Sequence, residues 1–453
     1  MSGAASADMV QDRSMPAHDS ARGEILSSVL ERFESAGLQY CILHGYEDYP
    51  LGVASDVDCL VDPDVPLRKI YALLKEACAR SGATLVRTRG YHVVLALRMA
   101  EGSFSFLTLD LCRESECRGL PFYTGAEVLA NRRRFRGFWV PPADVACAAY
   151  LARCIARRVL DETRIRRLTA FYRGDCAGCA RQLARFWGGD SSRLILAALQ
   201  SGNWTQVRQR LDDLRGELLR RCALRFPARL LRNALHRWVE RAQRLVQPDG
   251  VSVVFLGPDG AGKSSTIDVV GGAKLAAAFD RSVCWGFVPP LHRLTGRNDG
   301  PSSQPHALPP RSVTSSIAKA LYWLVFLTVG YPLLHLALAR GTLVLYDRHL
   351  VDVLVDPKRY RYGGPLWLMR LIWSVIPKPD LVILLNAPPE VVHARKREVP
   401  LLETAGQARA YSALVRSLRY GHEIDSSQPL ERVADQSNGV ILSYVAERTG
   451  RRL

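Results

Sequence analysis

Residues 251–266 combine an apolar β-branched run, a glycine-rich turn and polar residues that favour the start of a helix. Gly257, Gly262, Lys263 and Ser264 match the pattern G-x-x-x-x-G-K-[ST]. In this pattern the glycines let successive backbone N–H groups turn inward on an anion, the lysine supplies a positive charge, and the hydroxyl can ligate Mg²⁺. The stretch therefore predicts a strand, a phosphate-binding loop and a helix.

This loop predicts a binding site for ATP and Mg²⁺. Lys263 would contact the β- and γ-phosphates, and Ser264 would ligate the metal. A glycine turn followed by chance by Lys-Ser is the alternative, and it is disfavoured because strand, loop and helix all stand where the mechanism needs them. The expected ATP-binding residues are Gly257, Asp259, Gly260, Ala261, Gly262, Lys263, Ser264 and Ser265.

Asp259 is an unusual residue in a phosphate-binding loop, because its carboxylate repels the phosphates of ATP. We therefore expect it to face the hydroxyl of an acceptor. The form G-x-D-G-x-G-K-S resembles the thymidylate kinase family. The resemblance implies that Asp259 contacts the acceptor of a phosphoryl transfer.

A second apolar strand ends in Asp347 and Arg348. Strands of α/β sheets present catalytic groups at this end, so we expect Asp347 to organise Mg²⁺ or its waters and Arg348 to clamp an acceptor phosphate. Together with His349 they match the Asp-Arg-Tyr/His motif of the thymidylate kinase family. An Arg-Asp pair that only ends a strand is the alternative.

A basic cluster, Arg395, Lys396 and Arg397, follows the next predicted strand and helix. The resemblance implies a lid at this position that closes on ATP. Because the phosphate-binding loop has no arginine, Arg395 and Arg397 are the candidates to neutralise the charge that develops during transfer. A solvated basic helix end is the alternative. Residues 425–429 are expected near the adenine.

Three carboxylates in the N-terminal part have the spacing of a metal site. Asp56 and Asp58 lie two residues apart in a predicted strand, where both side chains point the same way. Asp110 lies in another alternating strand that could be adjacent. Because neighbouring carboxylates repel each other, a Mg²⁺ ion would keep them ionised.

With His44 and Gly45, these aspartates resemble the nucleotidyltransferase superfamily of DNA polymerase β. The resemblance implies that they hold Mg²⁺ at the α-phosphate of a nucleoside triphosphate. Tyr46 departs from the family, which has a second small residue after Gly45. A structural or ligand-sensing domain, or an acidic turn without metal, is therefore the alternative.

The elements that must position these residues predict an α/β chain. We expect a disordered tail over residues 1–20, an α+β nucleotidyltransferase-like sheet domain over 21–124, and an Arg-rich helical region over 125–247 that continues it. A P-loop kinase domain, with a parallel sheet flanked by helices, is expected over 250–453. QPDG at 247–250 marks the boundary.

The composition favours a globular, basic protein. Apolar residues make up 48% of the 453 residues, which argues against a disordered chain, and the net charge is +17. Residues 151–247 alone contain 21 Arg and 8 acidic residues. These helices could bind nucleic acid or an anionic membrane, or arginine simply coats their surface. The oligomeric state is open, a homodimer included.

Two features bear on location. The 11 cysteines show no paired framework and the first 20 residues have no apolar segment, which favours the cytoplasm, with a peripheral position at the inner membrane surface as a variant. Residues 320–334 form an uncharged run that is short for a membrane span. We expect a buried kinase-core helix there; a membrane-spanning or interfacial helix is the alternative.

These features predict an ATP-dependent phosphotransferase of the thymidylate kinase type. Its acceptor would be a nucleoside monophosphate or a related phosphorylated small molecule. The extended stretch DRH-x-x-D-x-x-x-D-P-x-R-Y-R at 347–361, together with a fused N-terminal domain, resembles proteins of bacterial surface-polysaccharide loci, so a phosphorylated sugar or a lipid-linked acceptor is an alternative. One alternative is a Mg²⁺-dependent nucleotidyltransferase regulated by ATP at the phosphate-binding loop. The other is a scaffold that binds nucleic acid or anionic surfaces.

Overall fold

The computed structural model describes residues 17–54, 56–272, 275–286, 309–396 and 400–453. The chain forms two compact units, the first made mainly of residues up to Ala234 and the second mainly of residues from Leu235 onward. The predicted Arg-rich helices thus belong largely with the N-terminal sheet. The division falls inside a helix and not at residues 247–250.

The N-terminal unit is built on a five-stranded mixed sheet in the order β1-β2-β5-β4-β3. Strands β1 and β2 are antiparallel, while β2 and β5 are parallel. The strands are β1 Tyr40–Ile42, β2 Val57–Val61, β3 Thr84–Arg89, β4 His92–Arg98 and β5 Phe104–Cys112. Two small antiparallel pairs follow: β6 Ser115–Cys117 with β7 Leu120–Tyr123, and β8 Arg133–Phe135 with β9 Phe138–Val140.

The longer helices up to Arg225 bury an apolar stripe, as their sequence periodicity predicts, whereas the helix Pro227–Val246 buries none of its residues. The first helix buries Ile25, Leu26, Val29, Leu30 and Phe33, and it begins at Ala17, so the predicted tail boundary at residue 20 is wrong. The helices are α1 Ala17–Ser35, α2 Leu67–Ser81, α3 Gly125–Ala130, α4 Ala143–Arg157, α5 Glu162–Gly174, α6 Cys176–Leu183, α7 Gly189–Ser201, α8 Thr205–Gln209, α9 Leu211–Arg225 and α10 Pro227–Val246.

The C-terminal unit is built on a five-stranded, all-parallel sheet in the order β11-β12-β10-β13-β14. Its inner strands are almost fully buried, as expected when helices cover both faces. The strands are β10 Val251–Leu256, β11 Arg281–Trp285, β12 Thr342–Asp347, β13 Leu381–Asn386 and β14 Gly421–Asp425. The helices are α11 Lys263–Val270, α12 Val313–Ala339, α13 Asp352–Val355, α14 Leu366–Val375, α15 Pro389–Arg395, α16 Leu401–Arg416 and α17 Leu430–Arg452.

Helix α12 differs from its prediction in length and burial. It continues through Gly330 and Pro332, residue types that usually interrupt a helix, and extends over 27 residues. Only 17% of its most apolar 18-residue window is buried, so one face packs on the unit and the remainder is exposed. Among the described helices it is the one long and apolar enough to span a membrane.

Candidate phosphate-binding site

The loop between β10 and α11 has the backbone that the sequence pattern predicts. Gly257 and Gly260 have φ angles of +143° and +92°, a region that residues with a Cβ rarely adopt. A Cβ on Gly257 would stand 2.4 Å from the carbonyl oxygen of Leu385, on the neighbouring strand β13. The loop is therefore held against the sheet so closely that only glycine fits at this position.

Lys263 lies at the first turn of α11 and is buried. Its Nζ donates to the carbonyl oxygens of Gly257 at 2.7 Å and Pro258 at 2.9 Å, so the side chain folds back over the loop. Burial lowers the pKa of this ammonium group to about 7, and the nearby Arg348 adds to the effect. A phosphate group at the loop would place a further negative charge beside this ammonium.

Ser264 and Asp347 form a pair at the carboxyl ends of adjacent strands. Asp347 ends β12 opposite Phe255 of β10, and its Oδ2 accepts from the Ser264 hydroxyl at 2.9 Å. The other oxygen, Oδ1, is buried without a hydrogen-bond partner among the described residues. A hydroxyl beside a carboxylate with an unused oxygen is a hard-oxygen donor set that fits Mg²⁺.

Asp259 is surrounded by cations, which explains how a carboxylate is accommodated in this loop. Arg348 donates to its Oδ1, Arg359 forms an ion pair with its Oδ2, and Lys263 lies 3.9 Å away. Arg348 adopts a φ of +87°, a left-handed conformation unusual for arginine, directly after β12. Asp259 and Arg348, both predicted from the sequence, are thus brought together.

Arg359 was not among the predicted site residues. It lies in the segment Asp356-Pro357-Lys358-Arg359, after the short helix α13. The sequence contains a basic stretch after the Asp-Arg-His motif. The pattern does not indicate which basic side chain of that stretch turns toward the loop.

Asp352 fixes the segment between β12 and Arg359. It is fully buried, and its carboxylate accepts from the hydroxyls of Tyr411 at 2.8 Å and Tyr360 at 3.3 Å. The backbone N–H of His349 also donates to it, at 3.4 Å. Burial raises the pKa of Asp352, while Arg348 and Lys263 oppose that shift. This carboxylate positions the arginine-bearing backbone.

A cavity of about 230 Å³ opens beside the phosphate-binding loop, on the side of β14. Arg395 lines it and donates to the carbonyl oxygen of Ser426 at 2.9 Å. The expected adenine edge, 425–429, therefore lies next to the loop. Ala261, Gly262 and Ser265 line the same cavity. Arg397, the second predicted lid arginine, lies outside the described residues, whereas Lys396 is described and exposed.

The N-terminal carboxylates are arranged differently from the prediction. Asp58 and Asp110 stand opposite each other on the parallel strands β2 and β5, as expected. Asp56, however, directly precedes β2 and is exposed, so it lies outside the strand in which it was expected.

Side chains of the same unit already contact Asp58 and Asp110. Arg153 of α4 donates to Oδ1 of Asp58 at 2.8 Å and to Oδ2 at 3.4 Å, and His44 Nε2 lies 3.4 Å from Oδ2. His92 donates from Nδ1 to Asp110 at 2.6 Å, and this bond holds the pKa of Asp110 below its usual range. Over the described residues, no cluster of three or more His, Cys, Asp or Glu side chains has metal-binding geometry. In this arrangement Mg²⁺ would compete with Arg153 for Asp58.

Many arginines of the Arg-rich helices form ion pairs within the same chain. Of the 21 arginines in residues 151–247, twelve lie within 3.9 Å of a carboxylate oxygen of the same chain. Arg167, for example, makes two contacts with Glu47, at 2.7 and 3.0 Å. This pairing accounts for part of the basic composition without an external partner.

No protein-family model matches the chain, and a search of curated proteins gives no significant match. The functional argument therefore depends on the geometry of the residues described above.

Proposed function

We propose that the protein is an ATP-dependent phosphotransferase of the thymidylate kinase type. It transfers the γ-phosphoryl group of ATP to a phosphorylated small molecule, for which a nucleoside monophosphate is the first candidate. One observation supports this above all others. The phosphate-binding loop, the Ser264–Asp347 pair and the two arginines on Asp259 lie together at the carboxyl ends of neighbouring strands of one parallel sheet.

Each residue has a role in an in-line transfer. The loop amides and Lys263 hold the β- and γ-phosphates, and the cavity beside Arg395 receives the nucleoside. Ser264 and Asp347 would hold Mg²⁺, which supplies neutralisation of phosphate charge when bound. The reaction needs no protein nucleophile, so positioning and charge account for the catalysis.

The acceptor is inferred to be anionic because two guanidinium groups converge at its expected position. Arg348 and Arg359 now neutralise Asp259, and an acceptor phosphate would share them through charge-assisted hydrogen bonds. Asp259 would then be free to accept from an acceptor hydroxyl. Its place between the loop and the arginines suits a residue that aligns the attacking oxygen with the γ-phosphate.

The nucleotidyltransferase alternative is disfavoured by the arginine on Asp58. A divalent ion at that carboxylate would have to displace Arg153, which contacts both of its oxygens. The scaffold alternative is weakened by the internal pairing of the Arg-rich helices. We therefore assign the chemistry to the C-terminal unit, in a protein of the cytoplasm or its membrane surface.

Transfer of label from ATP tests the proposal. ATP labelled at either the γ- or the α-phosphate is incubated with the protein, Mg²⁺, and a panel of nucleoside monophosphates together with a small-molecule cell extract. We expect the γ-label alone to move to an acceptor, since phosphoryl transfer leaves the α-phosphate on the nucleotide. Lys263→Ala should abolish the transfer, because the ammonium then no longer neutralises the phosphates.

Asp56→Asn is the matched control, because it removes a carboxylate from the other candidate site. We expect it to leave γ-label transfer unchanged. Movement of the α-label that depends on Asp56 would contradict the proposal and assign the catalysis to the N-terminal unit. The thermal unfolding midpoint of each variant shows whether lost activity reflects lost folding.

A further inference from the structure

Helix α12 carries an exposed apolar stripe along most of its length. Tyr322, Val325, Val329, Leu333 and Leu336 are all more than 40% exposed and are separated by three or four residues, which places them on one helix face. Monomeric soluble proteins rarely expose a large contiguous apolar surface to water. The stripe therefore indicates a partner surface.

Helix α14 extends the same surface. Its Met369 and Ile372 pack in one buried cluster with Ala320 and Trp323 of α12, so the two helices lie side by side. On its outer face, the side chains four residues apart are exposed: Trp367, Leu371 and Val375. Together, the exposed apolar residues of α12 and α14 form a wider surface than the stripe of α12 alone.

The end of helix α10 lies beside α12 and is also apolar on the outside. His335 of α12 contacts the carbonyl oxygen of Leu245 through Nε2 at 2.6 Å. Trp238, Val239, Leu245 and Val246 are exposed, and α10 buries none of its residues. We call the exposed apolar residues of 235–246, 313–339 and 366–375 the apolar surface.

Both ends of α12 are hydrogen-bonded to the C-terminal unit, which determines how it can meet a bilayer. Near its start, Ser316 accepts from the N–H of Gly363 at 2.9 Å and Lys319 donates to Tyr360 at 2.9 Å. Near its end, Leu338 accepts from the N–H of Gly250 at 2.8 Å. Because both ends of the helix are attached to the same unit, we expect it to lie along a membrane surface and not to cross it.

Charge identifies the partner. Helices α12 and α14 contain no Asp or Glu, whereas Arg340 and Arg370 are exposed on them or at their ends, and Arg241 is exposed on α10. Tryptophan and tyrosine side chains stand among the apolar residues, as is typical of proteins at the membrane–water interface. A second copy of the chain would bring like charges together across a two-fold interface, which disfavours a dimer.

We propose that the apolar surface docks the protein on an anionic phospholipid bilayer. The apolar stripes of α12 and α14 enter the headgroup and acyl boundary, and the arginines contact lipid phosphates. This inference is independent of the proposed phosphotransferase activity, because it depends on residues outside the phosphate-binding site.

Co-sedimentation with vesicles tests the inference. The full-length protein is mixed with vesicles of phosphatidylcholine alone, or of phosphatidylcholine with about one third phosphatidylglycerol. We expect binding to the anionic vesicles. The variant Val325→Gln/Val329→Gln/Trp367→Gln should bind at least about tenfold more weakly, since it removes apolar area that would leave water. Arg340→Gln/Arg370→Gln should lose roughly fivefold per residue on anionic vesicles only.

Leu402→Gln is the matched control, because Leu402 is 84% exposed on a different helix, α16, and lies outside the apolar surface. It should bind as the wild type does. Equal vesicle binding by the triple variant, or no vesicle binding by the wild type, would overturn the inference. Sedimentation of the protein alone gives a further contrary outcome. If the wild type is a dimer and the triple variant is a monomer, the apolar surface binds a second copy of the chain, and the inference is overturned. A thermal unfolding midpoint of the triple variant equal to that of the wild type shows that its fold is intact.

Discussion

Asp259 places a negative charge inside a loop that we propose to bind phosphate, and its neighbours explain why the position is tolerated. Arg348 and Arg359 neutralise it. In the proposed transfer, an acceptor phosphate would bind the two guanidinium groups and leave Asp259 available to a hydroxyl. The same three side chains would thus serve the site with and without a bound acceptor, because each arginine would have a negatively charged partner in both cases.

Arg359→Gln tests this exchange at the residue scale. We expect the KM for the acceptor to rise about 10- to 100-fold, because a charge-assisted bond to phosphate is lost. The KM for ATP should stay within about twofold, since Arg359 pairs with the side chain of Asp259, which is expected to face the acceptor. Steady-state kinetics with each substrate varied in turn measures both.

Lys358→Gln is the neighbouring control, because Lys358 pairs with Glu403 at 2.9 Å and not with Asp259. Its acceptor KM should equal that of the wild type. An equal rise in both KM values for Arg359→Gln would indicate that the arginine only maintains the loop, and would contradict its assignment to the acceptor.

His349 gives the fold a dependence on pH. Burial lowers its pKa to about 4, from 6.5. Between these values the unfolded chain binds a proton that the folded chain does not, so this contribution to stability is complete above pH 6.5 and is lost as pH falls toward 4, by up to about 3 kcal/mol. His349→Phe keeps an aromatic ring at this position, where the ring centroids of residue 349 and Trp373 are 5.4 Å apart. The variant should therefore lose less of its free energy of unfolding as the pH falls.

Urea unfolding at several pH values between 7 and 4 measures the slope of the free energy of unfolding. His422→Gln, at an exposed position of β14, should keep the wild-type slope. His44, whose pKa burial also lowers to about 4, contributes equally to both proteins in each comparison. A His349→Phe slope equal to that of the wild type would contradict the prediction.

At the scale of elements, the phosphate-binding loop was predictable because its determinants are local. Strand β10, the glycines and the start of α11 are encoded within 16 consecutive residues. The partners of Asp259 and Asp58 were not predictable in the same way. Arg348 is 89 residues from Asp259, and Arg153 is 95 residues from Asp58, so only tertiary packing shows which cation reaches which carboxylate.

Helix α12 was misjudged for a different reason. Gly330 and Pro332 usually end a helix, but here tertiary packing and capping at both ends outweigh their local preference. Ser312 caps the first turn through its side chain, and Arg340 closes the last turn through its backbone N–H. Local propensity therefore underestimated the length, and the apolar composition alone could not show which face is exposed.

The contact between α4 and β2 predicts a structural role for Asp58. Arg153 and Asp58 are both largely buried, so Arg153→Met leaves an uncompensated carboxylate and should lower the free energy of unfolding by about 3 kcal/mol or more. Adding Asp58→Asn removes that charge, and the double variant should recover most of the loss. Urea unfolding of the four proteins in this cycle gives the coupling energy.

A metal-binding role for Asp58 would give the opposite pattern. Arg153→Met would then cost little, and Asp58→Asn alone would reduce a Mg²⁺-dependent reaction without affecting unfolding. Arg185, which pairs with Glu127 elsewhere in the same unit and is about as exposed as Arg153, provides the comparison. Arg185→Met leaves a more exposed carboxylate, so its effect should be smaller.

At the scale of the whole molecule, two carboxylate centres exist in two units, but they are not equivalent. The C-terminal centre has a buried carboxylate oxygen of Asp347 that lacks a hydrogen-bond partner among the described residues. In the N-terminal centre, Arg153 and His92 occupy Asp58 and Asp110. We therefore expect the first arrangement to gain more from a divalent cation, because at Asp58 the cation would have to displace Arg153, which already neutralises that carboxylate.

This asymmetry predicts one divalent cation per chain, bound together with the nucleotide. Titration of Mn²⁺, followed by electron paramagnetic resonance in the presence of a non-transferable ATP analogue, should saturate at one ion. Asp347→Asn should weaken that binding by about tenfold, since a ligand or water-orienting carboxylate is removed. Asp110→Asn should leave it unchanged. A second site that binds Mn²⁺ without nucleotide and disappears in Asp110→Asn would place a metal in the N-terminal unit, and the N-terminal carboxylates would then have a catalytic role beside the proposed phosphotransferase site.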